Sequence, residues 1–325
     1  VYNLGEIGGF VGRIDHTTQI ENCSADVNIN APNIGYVGGF ISKTTSNEII
    51  KDSKSFGDVN GKQNVGGFIG YNSGTSIIKN SPSYGDVSGI GGWNDGVGGF
   101  VGENYAYITN CSANGDVQGD IHVGGFVGQM SGDQINQSFA TGNVISLSTD
   151  TSSATGGFVG LMEFNTNIST SYAKGNVNGN YNVGGFIGKK NWGDSYIKEC
   201  FASGNVSGLE KIGGFGGLSS YDINDTFSKG EVEVTPNSGA YVGETYRYIA
   251  TSYTTSKINS NDCFSGYAGY SNDCYNNYYN QDICSYDYDS CAEPLTTNQM
   301  KQKTNYLNWD FTDIWAIDPD INQGY

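Results

Sequence analysis

The chain has 325 residues, with 33 Asp and Glu against 16 Lys and Arg, and a net charge of -17. A chain this acidic, with no basic run, lacks a phosphate-binding surface, which excludes a general affinity for nucleic acid or anionic lipid. No stretch approaches the roughly 18 to 20 consecutive apolar residues that cross a bilayer, so direct membrane insertion is not expected. No leader pattern opens the chain, and "VYNLGEIGGF" starts partway through a repeat, as expected of a piece of something longer.

From Ile7 onward the chain repeats itself. "IGGFVG", "VGGFIS", "VGGFIG" and their variants place the first Gly of GGF at positions 8, 38, 66, 98, 124, 156, 184 and 213, with spacings of 26 to 32 residues. Two weaker copies, "GAYVG" from Gly239 and "SGYAG" from Ser265, bring the count to ten. Such a period signals a solenoid or a propeller, and a propeller blade needs about 40 residues. Each repeat has a second half, as in "ITNCSANGDVQG" from Ile108 and "ISTSYAKGNVNG" from Ile168.

Three apolar columns run through the copies: Phe10 to Phe215, Ile20 to Ile249 and Val27 to Val232. Like side chains recurring once per coil are what stacked parallel strands require, each strand lying about 4.8 Å from the next. Gly, Asn and β-branched residues fill positions where helices would need Ala, Leu, Glu and Lys. The expected fold is therefore all-β: a right-handed parallel β-helix of about ten coils with a C-terminal cap. The repeats should occupy residues 1–270. Residues 271–325 should hold a Tyr/Asn/Cys-rich segment, then a cap with a short helix begun at Thr296 or Thr297 and ending about Asn305.

Along the coils three features face outward. Longer loops leave the first, third and fifth coils on one edge, "NINAPNIGY", "SGIGGWNDG" with its Trp93, and "ISLSTDTSSA". Loop insertions on one edge of a solenoid are where binding surfaces form. An acidic column, Asp26, Asp58, Asp86 and Asp116, gives way to Asn143, Asn176 and Asn205. Carboxylates stacked at strand spacing repel, so these are expected to be well solvated or to share a cation such as calcium; no other cofactor is expected. The third feature sits one residue past a small Cys/Ser column. There Ser24, Lys54, Pro82 and Ser112 are followed by Phe139, Tyr172, Phe201, Phe227, Tyr253 and Tyr275. Alternation turns this position outward, giving an aromatic stripe suited to sugar rings or to lateral contact.

Cys23, Cys111, Cys200 and Cys274 are read as members of the small column, three coils apart and too distant to bridge. Cys284 to Cys291 is the simplest disulfide, with the pairing of Cys263 left open, and it would suit an oxidising, extracellular setting. No CxxC pair or neighbouring His supports a zinc site. His16 and His122 are expected on the surface, and no HExxH, GxSxG or strand-linked GxGxxG motif points to catalysis. Six Asn-x-Ser/Thr sequons, at Asn22, Asn110, Asn136, Asn167, Asn205 and Asn224, would be used only where the source organism glycosylates.

The pairing of "VGGFVG" with "NCSANGDVQG" and "SYAKGNVNG" resembles the GLUG-motif repeat proteins, over roughly residues 1 to 270. The tail from Leu295 also looks like the segment that closes such arrays. The resemblance implies large secreted or cell-surface proteins, among them adhesins and the non-catalytic region of IgA-specific metalloendopeptidases. The expected function is thus an extracellular adhesive or structural module without enzyme activity, secreted or held at the cell surface. It would bind a glycan or protein of a host or neighbouring cell, or like subunits. The rivals are a subunit of a self-assembling filament or sheath, and a polysaccharide-active β-helix enzyme.

Overall fold

A computed structural model of the chain describes residues 5–318, apart from 93–94, 192, 221, 261, 270–273 and 289. The chain winds into a right-handed parallel β-helix of about ten coils. One coil shows the pattern: strands His122–Gly124, Val127–Met130, Gln134–Asn136, Phe139–Ala140 and Val144–Ser146. Each pairs in parallel with its counterparts in the coils before and after, so the five positions generate five sheets, here numbered 1 to 5, of 9, 10, 10, 11 and 7 strands. The strands at Cys274–Tyr275, Tyr278–Asn280 and Glu293–Leu295 extend sheets 3 and 4, so coiling continues past residue 270.

The paired glycines answer to contacts with backbone. A Cβ on Gly124 would lie 1.9 Å from the Val127 carbonyl oxygen, and one on Gly125 would lie 2.1 Å from that of Gly157 in the next coil. At the corner between sheets 3 and 4 every coil takes a left-handed residue. Asn22, Asp52, Asn80, Asn110, Gln137, Thr170, Glu199, Asp225, Thr251 and Asn276 all have φ between 48° and 55°. Asn and Asp tolerate this conformation best, which accounts for much of the polar content there.

Inside, the Phe rings stack at centroid spacings of 4.8 to 5.0 Å and interplanar angles of 1° to 12° from Phe10 to Phe215. Phe40 through Phe215 are wholly buried, whereas Phe10 at the first coil is 47% exposed. The Phe and Ile columns form one core filament, and the Val residues of sheets 1 and 5 form a second beside it. The small column has its own task. Hydroxyls of Ser53, Ser81, Ser138 and Ser171 accept backbone N–H bonds from the coil before, at 3.2 to 3.3 Å.

Register departs from the sequence reading at both ends. In the first coil Ile29, not Val27, pairs with Val59; Val27 is exposed. In the last coil the columns lie three residues off. Phe264, not Tyr267, stacks on Tyr241, at 4.4 Å. Tyr278 pairs with Tyr253, and Asn277 takes the place in the small column that Cys274 was expected to hold. Burying the Phe264 ring selects this register over the average repeat spacing.

Cys274 is thereby freed to bridge Cys291, and Cys263 bridges Cys284, with Cα atoms 5.2 and 5.4 Å apart. The expected Cys284 to Cys291 bridge does not form, because the two sit in different core clusters, Cys291 beside Cys274 in that of the Phe and Ile columns and Cys284 beside Cys263 in that of the Val residues. Cys23, Cys111 and Cys200 stay reduced in the small column. Thr296 caps the helix Thr297–Met300 through a capping box with Gln299, and a 3-10 turn follows at Lys303–Asn305. Among the described residues no helix is long and apolar enough to cross a membrane.

Candidate functional site

Sheet 4 presents two residues per coil. Ala140, Ala173 and Ala202 point into the core, so Phe139, Tyr172 and Phe201 point out. With Phe227 and Tyr253 these rings form a ladder at 4.8 to 5.1 Å spacing and 3° to 10° between planes. Ring faces therefore meet ring faces along the helix axis, and what reaches the outside is ring edge. Sugars stack on ring faces, so a glycan would meet this stripe at ring edges and not by the stacking expected of it. Phe139, Tyr172, Phe201 and Phe227 are half-buried by their neighbours.

The C-terminal segment 307–318 was expected to close the end of the coil. It also runs back along this stripe as a strap. Trp309 packs on Tyr278 and Tyr253, Trp315 packs on Tyr253, and both of these stripe rings are buried. The Trp309 indole N–H donates to the Asn276 carbonyl at 2.8 Å. Asp313, Ile314 and Trp315 then overhang Phe201 and Phe227, leaving a crevice of ≈ 350 Å³ that Thr170, Glu199 and Asp225 also line. Tyr275, expected in the stripe, is exposed but pairs with Ala250 in sheet 3 because of the register shift. Trp93 lies outside the described residues.

The long loops all bridge sheets 5 and 1. Beneath the third-coil loop lies a polar cluster that sequence reasoning missed. Asn64 Nδ2 donates to Asp95 Oδ1 at 3.2 Å and to Glu103 Oε2 at 2.9 Å, and the Tyr105 hydroxyl donates to Glu103 Oε1 at 2.7 Å. Burial outweighs these donors and pushes the Glu103 carboxyl up to about 7. One coil on, His122 is not on the surface but only 3% exposed, and burial pushes it down to about 4. The repeat hid both, since neither column keeps one residue type: Glu103 stands in line with Tyr71, Gln129, Leu161 and Lys189, and His122 with Ala154.

The acidic column proves to be a hydrogen-bond ladder. Asp58 Oδ1 accepts the Asp86 N–H at 3.0 Å, Asp86 Oδ1 that of Asp116 at 2.8 Å, and Asp116 Oδ1 that of Asn143 at 2.7 Å. Asn143, Asn176 and Asn205 continue it, so Asp and Asn are interchangeable as acceptors. Its first member is Asn28, which accepts the Asp58 N–H; Asp26 falls two residues short. The carboxylates stand in single file along the sheet instead of converging. Among the described residues no three His, Cys, Asp or Glu side chains gather where they could share a metal ion.

The family model of the GLUG motif matches residues 3–30 and 94–118. The GLUG motif thus occurs in this chain in two stretches. Over 185 residues, 53% of its length, the chain is 30% identical to Halomucin of Haloquadratum walsbyi, and it spans 2% of that protein's length. No solved structure matches the chain.

Within each coil of this protein the tasks are divided by position. The GGF segment lets backbones approach and supplies the stacked core ring, the small column satisfies corner amides, and the Asp/Asn–Val pair ties one coil to the next. The outward residue of sheet 4 has no such duty. It is a position at which the repeats differ, and six coils in succession, from Phe139 to Tyr278, carry a ring there.

Proposed function

We propose that this GLUG-repeat β-helix is a non-catalytic adhesive or structural module of a cell-surface protein, binding a glycan or protein through the aromatic stripe. The stripe carries the reading. Phe139, Tyr172 and Phe201 continue a ladder whose later rings are sealed by the strap, and among the described residues no ring–ring contact joins the strap to Phe139 or Tyr172. A row of apolar ring edges on the flank of an acidic rod suits recognition better than solubility. Two disulfides favour an oxidising, extracellular compartment, and the match to a small fraction of the much longer Halomucin favours a module within an extended chain.

The test is capture of glycans and host or neighbouring-cell proteins on an array, by wild type and by the triple variant Phe139→Ser, Tyr172→Ser, Phe201→Ser. The variant should lose the wild-type signals while melting as wild type does. Undiminished capture by a folded variant would remove the stripe from the function.

A further inference from the structure

The strap shows, within one molecule, what this stripe accepts. Where it sits, each contact sets a ring of the strap region at an angle to a ring of the ladder. Tyr306 meets Tyr278 at 80°, Trp309 meets Tyr278 at 59°, Trp315 meets Tyr253 at 57°, and Trp309 meets Tyr253 at 42°. The reason is electrostatic. A ladder whose faces are used up by stacking offers ring edges, which carry the positive part of the aromatic quadrupole, and these attract the negative face of an incoming ring. The strap supports its rings with backbone bonds: the Leu307 N–H donates to the Tyr278 hydroxyl at 2.9 Å, beside the indole bond to Asn276. The segment needs no strand pairing with the solenoid to be held.

The same chemistry continues on the next three coils, where the strap overhangs only Phe201. Phe201, Tyr172 and Phe139 have the spacing and tilt of Phe227 and Tyr253, and the crevice beside Trp315 opens onto Phe201. Lys174, whose ammonium lies 4.8 Å from the Tyr172 ring centre, stands on this flank and can meet acidic or carbonyl groups of an incoming chain. We infer that Phe139, Tyr172 and Phe201 form a docking site for a peptide segment of another protein, one that bears two aromatic side chains packed on each other across a turn as Trp309 and Trp315 are, with centroids 4.4 Å apart. This rests on the stripe being the binding face and narrows its partner from glycan or protein to an aromatic peptide. The ligand lies alongside the strap and prolongs its contacts by three coils, with edge-to-face rings as the source of specificity.

The probe is a labelled synthetic peptide of residues 307–318, titrated against the full chain and followed by fluorescence anisotropy. Saturable binding is expected, together with none for the same peptide carrying Trp309→Ala and Trp315→Ala. Binding should weaken at least about tenfold in the Phe139→Ser, Tyr172→Ser, Phe201→Ser variant. The single variant Tyr172→Leu keeps an apolar side chain while removing the ring edge, and it should weaken binding severalfold without threatening the fold. Absence of saturable binding to wild type overturns the inference, as does binding unchanged in both variants, which would mean that the peptide only displaces the native strap. Concentration-dependent dimerisation without peptide, abolished by the triple variant, would assign the face to a second copy and overturn it likewise. If the peptide fails while array capture still depends on the three rings, the partner class falls and the stripe stands as the binding face.

Discussion

The backbone N–H of Phe264 donates to the Asp287 carboxylate at 3.1 Å, where Tyr241 and the Phe residues before it donate to the carbonyl of their counterpart one coil on. Asp287 thus stands in for a carbonyl at the last core ring. It also accepts from Ser265, Cys291 and Ala292. It is buried, and burial pushes its carboxyl up to about 6 even against these four donors. Asp287→Ala should cost on the order of 3 kcal/mol, because several buried amides lose their acceptor together, and Asp287→Asn should cost less. Denaturant midpoints measure the difference, and equal midpoints for Ala and wild type would show that water replaces the carboxylate.

Glu103 and His122 should tilt the pH dependence of stability in opposite directions. The Glu103 pKa is raised from 4.5 to about 7, so its contribution is complete below pH 4.5 and is lost as pH rises through 7. The His122 pKa is lowered from 6.5 to about 4, so its contribution is complete above pH 6.5 and is lost as pH falls through 4. Each effect is on the order of 3 kcal/mol. Melting temperatures of Glu103→Gln relative to wild type should therefore rise between pH 4.5 and 7, while those of His122→Gln relative to wild type should fall between pH 4 and 6.5. Parallel curves would mean that neither group is shielded from water.

Thr170 holds a left-handed backbone, φ 48°, that a β-branched residue adopts at a cost. Thr170→Asn restores the side chain used at Asn80 and Asn110 and can still donate to Glu199, which Thr170 reaches at 3.0 Å. The change should stabilise by about 1 kcal/mol in denaturant melts. A destabilised variant would show that the hydroxyl contributes more than the backbone strain costs.

Four cysteines are bridged and two of the remaining three are buried. Burial pushes the Cys111 thiol up to about 12 and the Cys200 thiol upward as well. Alkylation of the native protein should label Cys23 slowly and the other two only after unfolding. Replacing Cys274 and Cys291 by Ser should lower stability by about 3 kcal/mol and loosen the strap's base, read by proteolysis within residues 292–318. Rapid native labelling of Cys111 would mean that the small column opens.

The repeat by itself determined the sheets, the core and the sidedness of each strand. A side chain that returns once per coil can be buried only by its own copies, so the Phe, Ile and Ala/Ser columns and the outward Phe139, Tyr172 and Phe201 were all legible as spacing. Spacing failed where a coil departed from the average. Ile29 replaced Val27, Asn28 replaced Asp26, and in the last coil Phe264, Asn277 and Tyr278 replaced Tyr267, Cys274 and Tyr275. There the deciding quantity was the burial of one particular ring, which a period does not contain. The disulfides followed from that same shift. The direction of the strap, the ring edges it leaves open, and the burial of Glu103 and His122 were decided by tertiary structure alone. Each depends on which parts of distant coils lie against one another, and an outward position in a repeat becomes an inward one as soon as another segment folds over it.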